Sequence, residues 1–169
     1  TMKLRHLFLA CSGVFVMMFS LLLLVVIVFS DEEDGGSGGN LIFGGVSVSQ
    51  EVLAHKPMLE KYAREYGIEE YLNVLLAIIQ VESGGTLEDV MQSSESLGLP
   101  PNSLSTEESI KQGCKYFSEL LAAAEAKGCD LNSVVQSYNY GGGFLDYVAG
   151  RGKKYTFELA ESFARDKSG

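Results

Sequence analysis

Glu82 closes an apolar run, LNVLLAIIQV, and is followed by Ser83, Gly84 and Gly85. A glutamate at the end of a surface helix turns its charge out to water. A glutamate at the end of a buried helix meets a cleft wall instead. There, loss of water disfavours the charged form, so the carboxyl holds a proton near neutral pH. A carboxyl of that kind can protonate a leaving glycosidic oxygen. Gly84-Gly85 lets the backbone bend sharply or come close to a ligand. Two polar patches lie downstream: Asp89-Val90-Met91-Gln92-Ser93-Ser94-Glu95-Ser96 and Gln136-Ser137-Tyr138-Asn139-Tyr140-Gly141. Both are rich in amides, hydroxyls and aromatic rings. Such groups suit sugars, whose ring faces stack on aromatics and whose hydroxyls pair with amides.

Each of these residues also has a plainer reading. Asp89 can cap a short helix, as Asp often does. Glu95 is either a second carboxylate or a solvated loop charge. Tyr138 can be core, with only its hydroxyl reaching a cleft, and Asn139 can hold the turn into Gly141–Gly143. Met91 reads as core. His55 is the only histidine after residue 45, so no metal-ligand cluster is expected there and no cofactor is called for. Cys114 with His55 does not form a peptidase pair, because Cys114 sits within a helical run and reactive thiols prefer helix N-termini or electropositive sites. Cys114 and Cys129 are expected as free thiols. With a helix over 111–126 they stand roughly 20 Å apart at about 1.5 Å per residue, beyond the reach of a disulfide.

The elements that position these residues read as helical. Ser49 caps a helix running to 66, with Gly67 suited to its C-terminal cap. The helix from about 69 to 81 is apolar nearly all round, which marks it as the central buried one. One turn is expected around 89–93, and Pro100-Pro101 makes a loop. Ser105-Thr106-Glu107-Glu108 is a capping box opening a helix to about 126. Asp130 caps 131–138, a turn at 141–143 leads into 144–149, and the last helix covers about 155–165. No strand pair with a hairpin turn is read. The fold expected is all-α.

Residues 1–30 form a separate unit. Lys3 and Arg5 precede an uncharged apolar run of 23 residues at 7–29, long enough to span a bilayer. With no small-x-small cleavage site before Asp31, it reads as an uncleaved transmembrane signal-anchor in the cell membrane, with a removed signal peptide as the alternative. Basic residues before it and Asp31-Glu32-Glu33-Asp34 after it put the N-terminus in the cytoplasm and the rest outside. Residues 31–45 are acidic and then glycine-rich, a flexible linker. Residues 46–169 suffice for one domain. That domain has 11 Lys and Arg against 18 Asp and Glu. Its acidity excludes nucleic acid as a bulk-charge partner, since phosphate binding needs a basic face.

Taken in order, Glu82-Ser83, Met91-Gln92, Ser137-Tyr138-Asn139-Tyr140-Gly141 and Tyr155 resemble the motifs of the goose-type lysozyme and soluble lytic transglycosylase superfamily. VESGG, DVMQSSES and SYNYGGGF look more closely like the lysozyme-like domain of the bifunctional cell-wall hydrolases of Gram-positive conjugative elements. The resemblance covers roughly 50–167. It implies a lysozyme-like fold around the central helix, with Glu82 as catalytic acid and Asp89 assisting. In the wider superfamily a Gly-Leu-Met-Gln segment stands where this chain has Asp89. Gln92 would line the cleft, Tyr138 and Asn139 would contact sugars, and Tyr155, in the last helix, would stand near the acid. Ser83 and Ser94, hydroxyls within the same motifs, join them as substrate-binding candidates.

The implied substrate is the peptidoglycan glycan strand, cut at the β-1,4 bond between N-acetylmuramic acid and N-acetylglucosamine. Three outcomes stay open. A muramidase would use water, a lytic transglycosylase would close an anhydro-muramoyl ring, and a non-catalytic wall-binding scaffold of a secretion apparatus would do neither. The resemblance further implies local wall opening during conjugation, channel proteins of a type IV secretion apparatus as partners, and a papain-like peptidase domain beyond the lysozyme-like one.

Overall fold

The computed structural model describes residues 42–43 and 46–168. The expected membrane span at 7–29 and most of the expected linker at 31–45 lie outside the described residues. Among the described residues, no helix is long and apolar enough to cross a membrane.

Seven α-helices form the body of the described part: α1 (Gln50–Ala54), α2 (Lys56–Glu65), α3 (Leu72–Glu82), α4 (Thr106–Lys127), α5 (Leu131–Tyr140), α6 (Gly143–Ala149) and α7 (Phe157–Ser168). Single 3-10 turns cover Glu69–Tyr71 and Ser94–Leu97. A two-residue antiparallel ladder precedes α1: β1 (Ile42–Phe43) pairs with β2 (Val46–Ser47), Phe43 opposite Val46. The sequence reading contained no strand pair. Two residues per strand are too few to show a period-two pattern, which is why the ladder escaped it.

The helix expected over 50–66 is two helices. Pro57 has no N–H to continue the ladder of α1, so the chain breaks at His55 and restarts with proline in the first turn of α2. The other caps follow the sequence. Ser49 accepts from the Val52 N–H at 3.3 Å. The Glu108 carboxylate accepts from the Ser105 N–H and hydroxyl at 3.1 and 2.6 Å. Asp130 accepts from the Ser133 N–H at 3.0 Å. Gly67 and Gly128 take left-handed φ of 67° and 70° to end α2 and α4.

The core is built around α3, whose residues 74–79 are all buried. Helices α1 and α2 pack on it, and the long α4 packs against α2, α5 and α6. Leu75, Leu76, Ile78 and Ile79 are fully enclosed; each such side chain contributes about 1.5–3 kcal/mol of transfer free energy. A second apolar cluster of Phe144, Val148, Ala160 and Phe163 joins α6 to α7. Cys114 is buried, Cys129 half-buried, and both are free thiols.

Candidate active site

Because α3 is apolar on every side, it runs through the interior and can emerge only where the packing opens. It emerges at Glu82. The side chain is part-buried and lines a cleft of about 500 Å³ together with Gln92, Glu95, Tyr116, Tyr138, Asn139 and other residues. That volume falls in the usual range for small-ligand sites. Burial first, then the charges of Glu95 and Asp89, push the Glu82 carboxyl up to about 8. It is therefore an acid that keeps its proton at neutral pH.

The turn after Glu82 is held from two sides. Ser83 donates to the Val90 carbonyl at 2.7 Å and accepts from the Gly85 N–H at 3.0 Å. Its hydroxyl staples the chain to the following loop and does not line the cleft. Gly85 faces α1 rather than a ligand. At φ 77°, a Cβ there would lie 2.7 Å from backbone atoms of Glu51 and Val52. His55 reaches the Gly85 carbonyl with Nε2 at 2.9 Å, so the histidine is a partnered residue of this clamp. Gly84 and Gly85 make the sharp bend with φ of 61° and 77°, and the close approach that Gly85 allows is to the backbone of α1 rather than to a ligand.

The loop 86–93 holds no helical turn; the single turn comes later, at Ser94–Leu97. Asp89 is fully buried. Its Oδ1 accepts from the Ser93 N–H at 3.0 Å and the Ser109 hydroxyl at 2.6 Å. Its Oδ2 accepts from the Ser94 N–H at 3.2 Å and the Ser94 hydroxyl at 2.6 Å. Neither Asp89 nor the fully buried Ser94 lines the cleft. Gln92 does, from a left-handed φ of 47°. Such a conformation costs of order 1 kcal/mol. It is held by the Gln92 amide donating to the Asp89 carbonyl at 2.8 Å and to Asn102 Oδ1 at 2.7 Å.

Helix α5 supplies the opposite wall with Tyr138, Asn139 and Tyr140. Tyr138 is buried, and its hydroxyl donates to the Met91 carbonyl at 3.1 Å. Burial and the neighbouring Glu82 hold that hydroxyl well above its ordinary range, so it stays a donor. Gly113 on α4 makes the arrangement possible, since a Cβ there would meet Met91 Sδ at 2.5 Å and Tyr138 Oη at 2.9 Å. Met91 is core, and Gln136 and Ser137 of the same motif are buried as well.

Tyr155 lies elsewhere. It precedes α7 rather than belonging to it, packs edge-on to Phe144 at 6.4 Å, and is not among the cleft residues. Burial pushes its hydroxyl up to about 12. The aromatic groups that α7 and its neighbours bring to the cleft are Tyr140 and Phe163, stacked at 5.6 Å with 21° between planes. Tyr116, Phe163 and Lys167 were not singled out in the sequence. Their only signal was helical spacing on α4 and α7, which fits core or surface equally well. Among the described residues, no group of three or more His, Cys, Asp and Glu side chains is placed to hold a metal ion.

Comparison with known proteins bears on this arrangement. The lysozyme-like family model matches residues 49–169. The chain is 45% identical over 121 residues to the bifunctional muramidase/DL-endopeptidase CwlT of Bacillus subtilis, covering 71% of this chain and 36% of that one. It is 40% identical over 117 residues to a pneumococcal vaccine antigen A homolog of Streptococcus pyogenes, covering 69% and 59%. A crystal structure of a protein from Staphylococcus aureus, described as similar to a lipoprotein of the NLP/P60 family, superposes with a TM-score of 0.73. It is 74% identical, over 74% of this chain and 42% of that one. The chain thus spans between a third and three-fifths of the length of these relatives. With Glu82 delivered to a cleft by the buried α3, and with the family match running from the cap of α1 to the end of α7, the chain belongs to the lysozyme-like family.

Proposed function

We propose that the domain is a peptidoglycan hydrolase of the muramidase type, cleaving the β-1,4 bond between N-acetylmuramic acid and N-acetylglucosamine. One observation carries this reading: Glu82 stands in the cleft as a carboxyl raised to about 8 by burial and nearby carboxylates. It donates its proton to the bridging oxygen as positive charge develops on the sugar ring. A general acid placed in this way supplies roughly 100- to 10,000-fold of rate. Asn139 offers its amide and Gln92 its amide oxygen to sugar hydroxyls and acetamido groups, and the Tyr140–Phe163 pair offers an apolar face. The relative named a muramidase/DL-endopeptidase supports the same substrate class.

We further propose that residues 7–29 anchor the protein in the membrane, with the domain on the outer side. Charge asymmetry around that run supports this topology.

The test is a zymogram on purified peptidoglycan with wild type and Glu82→Gln, followed by mass spectrometry of the released fragments. Wild type should clear the gel, leave reducing muramoyl ends, and lose this activity on substitution. Anhydro-muramoyl ends would instead identify a lytic transglycosylase. Equal clearing by both proteins would remove Glu82 from the mechanism, and clearing by neither would favour a scaffold.

A further inference from the structure

Two carboxylates follow Glu82 in the chain, and the fold treats them in opposite ways. Asp89 is fully enclosed, and both of its oxygens already accept two hydrogen bonds each. A carboxylate so occupied has no lone pair left for a water and no open path to one. Glu95 is exposed and lines the same cleft as Glu82. No hydrogen bond or ion pair engages its side chain among the described residues.

The backbone beneath Glu95 is firmly held. Asp89 binds the N–H groups of Ser93 and Ser94, which lead into the turn Ser94–Leu97. The Ser93 hydroxyl donates to the Ser109 carbonyl of α4 at 2.9 Å. The Ser96 hydroxyl donates to the Ser93 carbonyl at 2.6 Å and accepts from Gln112 Nε2 at 2.9 Å. Glu95 is also the charge that acts most strongly on Glu82, ahead of Asp89. The other titratable groups lining the cleft are Tyr116, Tyr138, Tyr140 and Lys167. Lys167 is a cation, and the tyrosine hydroxyls, pushed up by burial, stay protonated and cannot take a proton.

We propose that Glu95 is the second catalytic carboxylate of the cleft, the base for the attacking water, and that Asp89 is the positioning residue that fixes its place. This rests on the glycan-hydrolysis reading above. In the step, the bond from C1 to the bridging oxygen breaks, and its electron pair leaves on that oxygen, which takes the Glu82 proton. The water oxygen bonds to C1 and its proton passes to Glu95. Glu95 then loses the proton to solvent and Glu82 regains one. Attack by a water held on the face opposite the leaving group inverts the configuration at C1.

The experiment uses the full chain on peptidoglycan sacculi, with wild type, Glu95→Ala and Asp89→Asn, in the presence and absence of sodium azide. Turnover is followed by release of soluble glycan fragments, their end groups by mass spectrometry, anomeric configuration by NMR, and fold by the thermal unfolding midpoint. Wild type should release muramoyl ends of inverted configuration. Glu95→Ala should unfold at the wild-type midpoint, since the side chain is exposed, yet turn over at least about 100-fold more slowly. Azide, a nucleophile that needs no base, should restore turnover and leave a glycosyl azide at the muramoyl C1. Asp89→Asn should lower both turnover and midpoint, with no azide rescue. Glu95→Ala within threefold of wild type, or a loss that azide does not restore, overturns the proposal. If wild type itself leaves no reducing muramoyl ends, the underlying hydrolase reading fails first.

Discussion

Replacing Glu82 by Gln should abolish glycan cleavage and yet make the protein more stable as pH rises. The folded-state carboxyl lies near 8 against an ordinary 4.5. Between those values the folded protein keeps a proton that the unfolded chain has released. The unfolded state then binds fewer protons, so stability falls with increasing pH. The contribution of Glu82 is complete below about 4.5 and is lost progressively up to about 8. At about 1.4 kcal/mol for each tenfold difference, the whole loss has an upper limit near 5 kcal/mol. Glutamine has the same shape and no ionisation. Its stability relative to wild type should therefore rise from nearly nothing at pH 4.5 to a few kcal/mol at pH 8, at most about 5, and stay level above that. For a domain of this size each kcal/mol is about 3–6 °C in unfolding midpoint. Urea or thermal unfolding at several pH values from 4 to 9 measures it directly. A variant-to-wild-type difference that does not change with pH would refute the desolvated-acid argument. So would a wild-type kcat/KM profile whose alkaline limb falls near 4.5 instead of near 8, since that limb reports the acid of the free enzyme.

Three further outcomes follow from the packing. Asp89→Asn leaves hydroxyl and N–H donors around Asp89 without a matching acceptor. It should cost about 2–4 kcal/mol and raise amide exchange across 89–97, measurable by urea midpoint and hydrogen-exchange mass spectrometry. Gly113→Ala pushes a methyl into Met91 and the Tyr138 hydroxyl. It should destabilise by about 1–3 kcal/mol and lower turnover by displacing the cleft wall, read by calorimetry and muropeptide release. The Cys114 thiol, pushed up to about 12 by burial, should resist alkylation by iodoacetamide at pH 8 in the folded protein, while the half-buried Cys129 is modified first; peptide mass mapping distinguishes them.

Much of this was written locally in the chain. The caps at Ser49, Ser105–Glu108 and Asp130 and the ends at Gly67 and Gly128 are contacts between residues a few positions apart, so spacing alone reveals them. The apolar run of α3 forced Glu82 to an interior edge, because a helix apolar on all sides cannot lie on a surface. Pro57, also a local signal, split a helix that periodicity alone would continue. Other features were not local. Asp89 and Glu95 are both acidic loop residues without a period, and nothing in their spacing says which one faces substrate. The choice was made by Ser109, twenty residues beyond Asp89 on α4, whose hydroxyl draws that carboxylate inward. Likewise, α6 and α7 pack through Phe144 and Phe163, which leaves Tyr155 against their shared core and turns Tyr140 and Phe163 to the cleft. The sequence by itself determined the helices and the acid. The tertiary structure decided the company that acid keeps, because side-chain direction in loops is set by long-range partners rather than by neighbours in the chain.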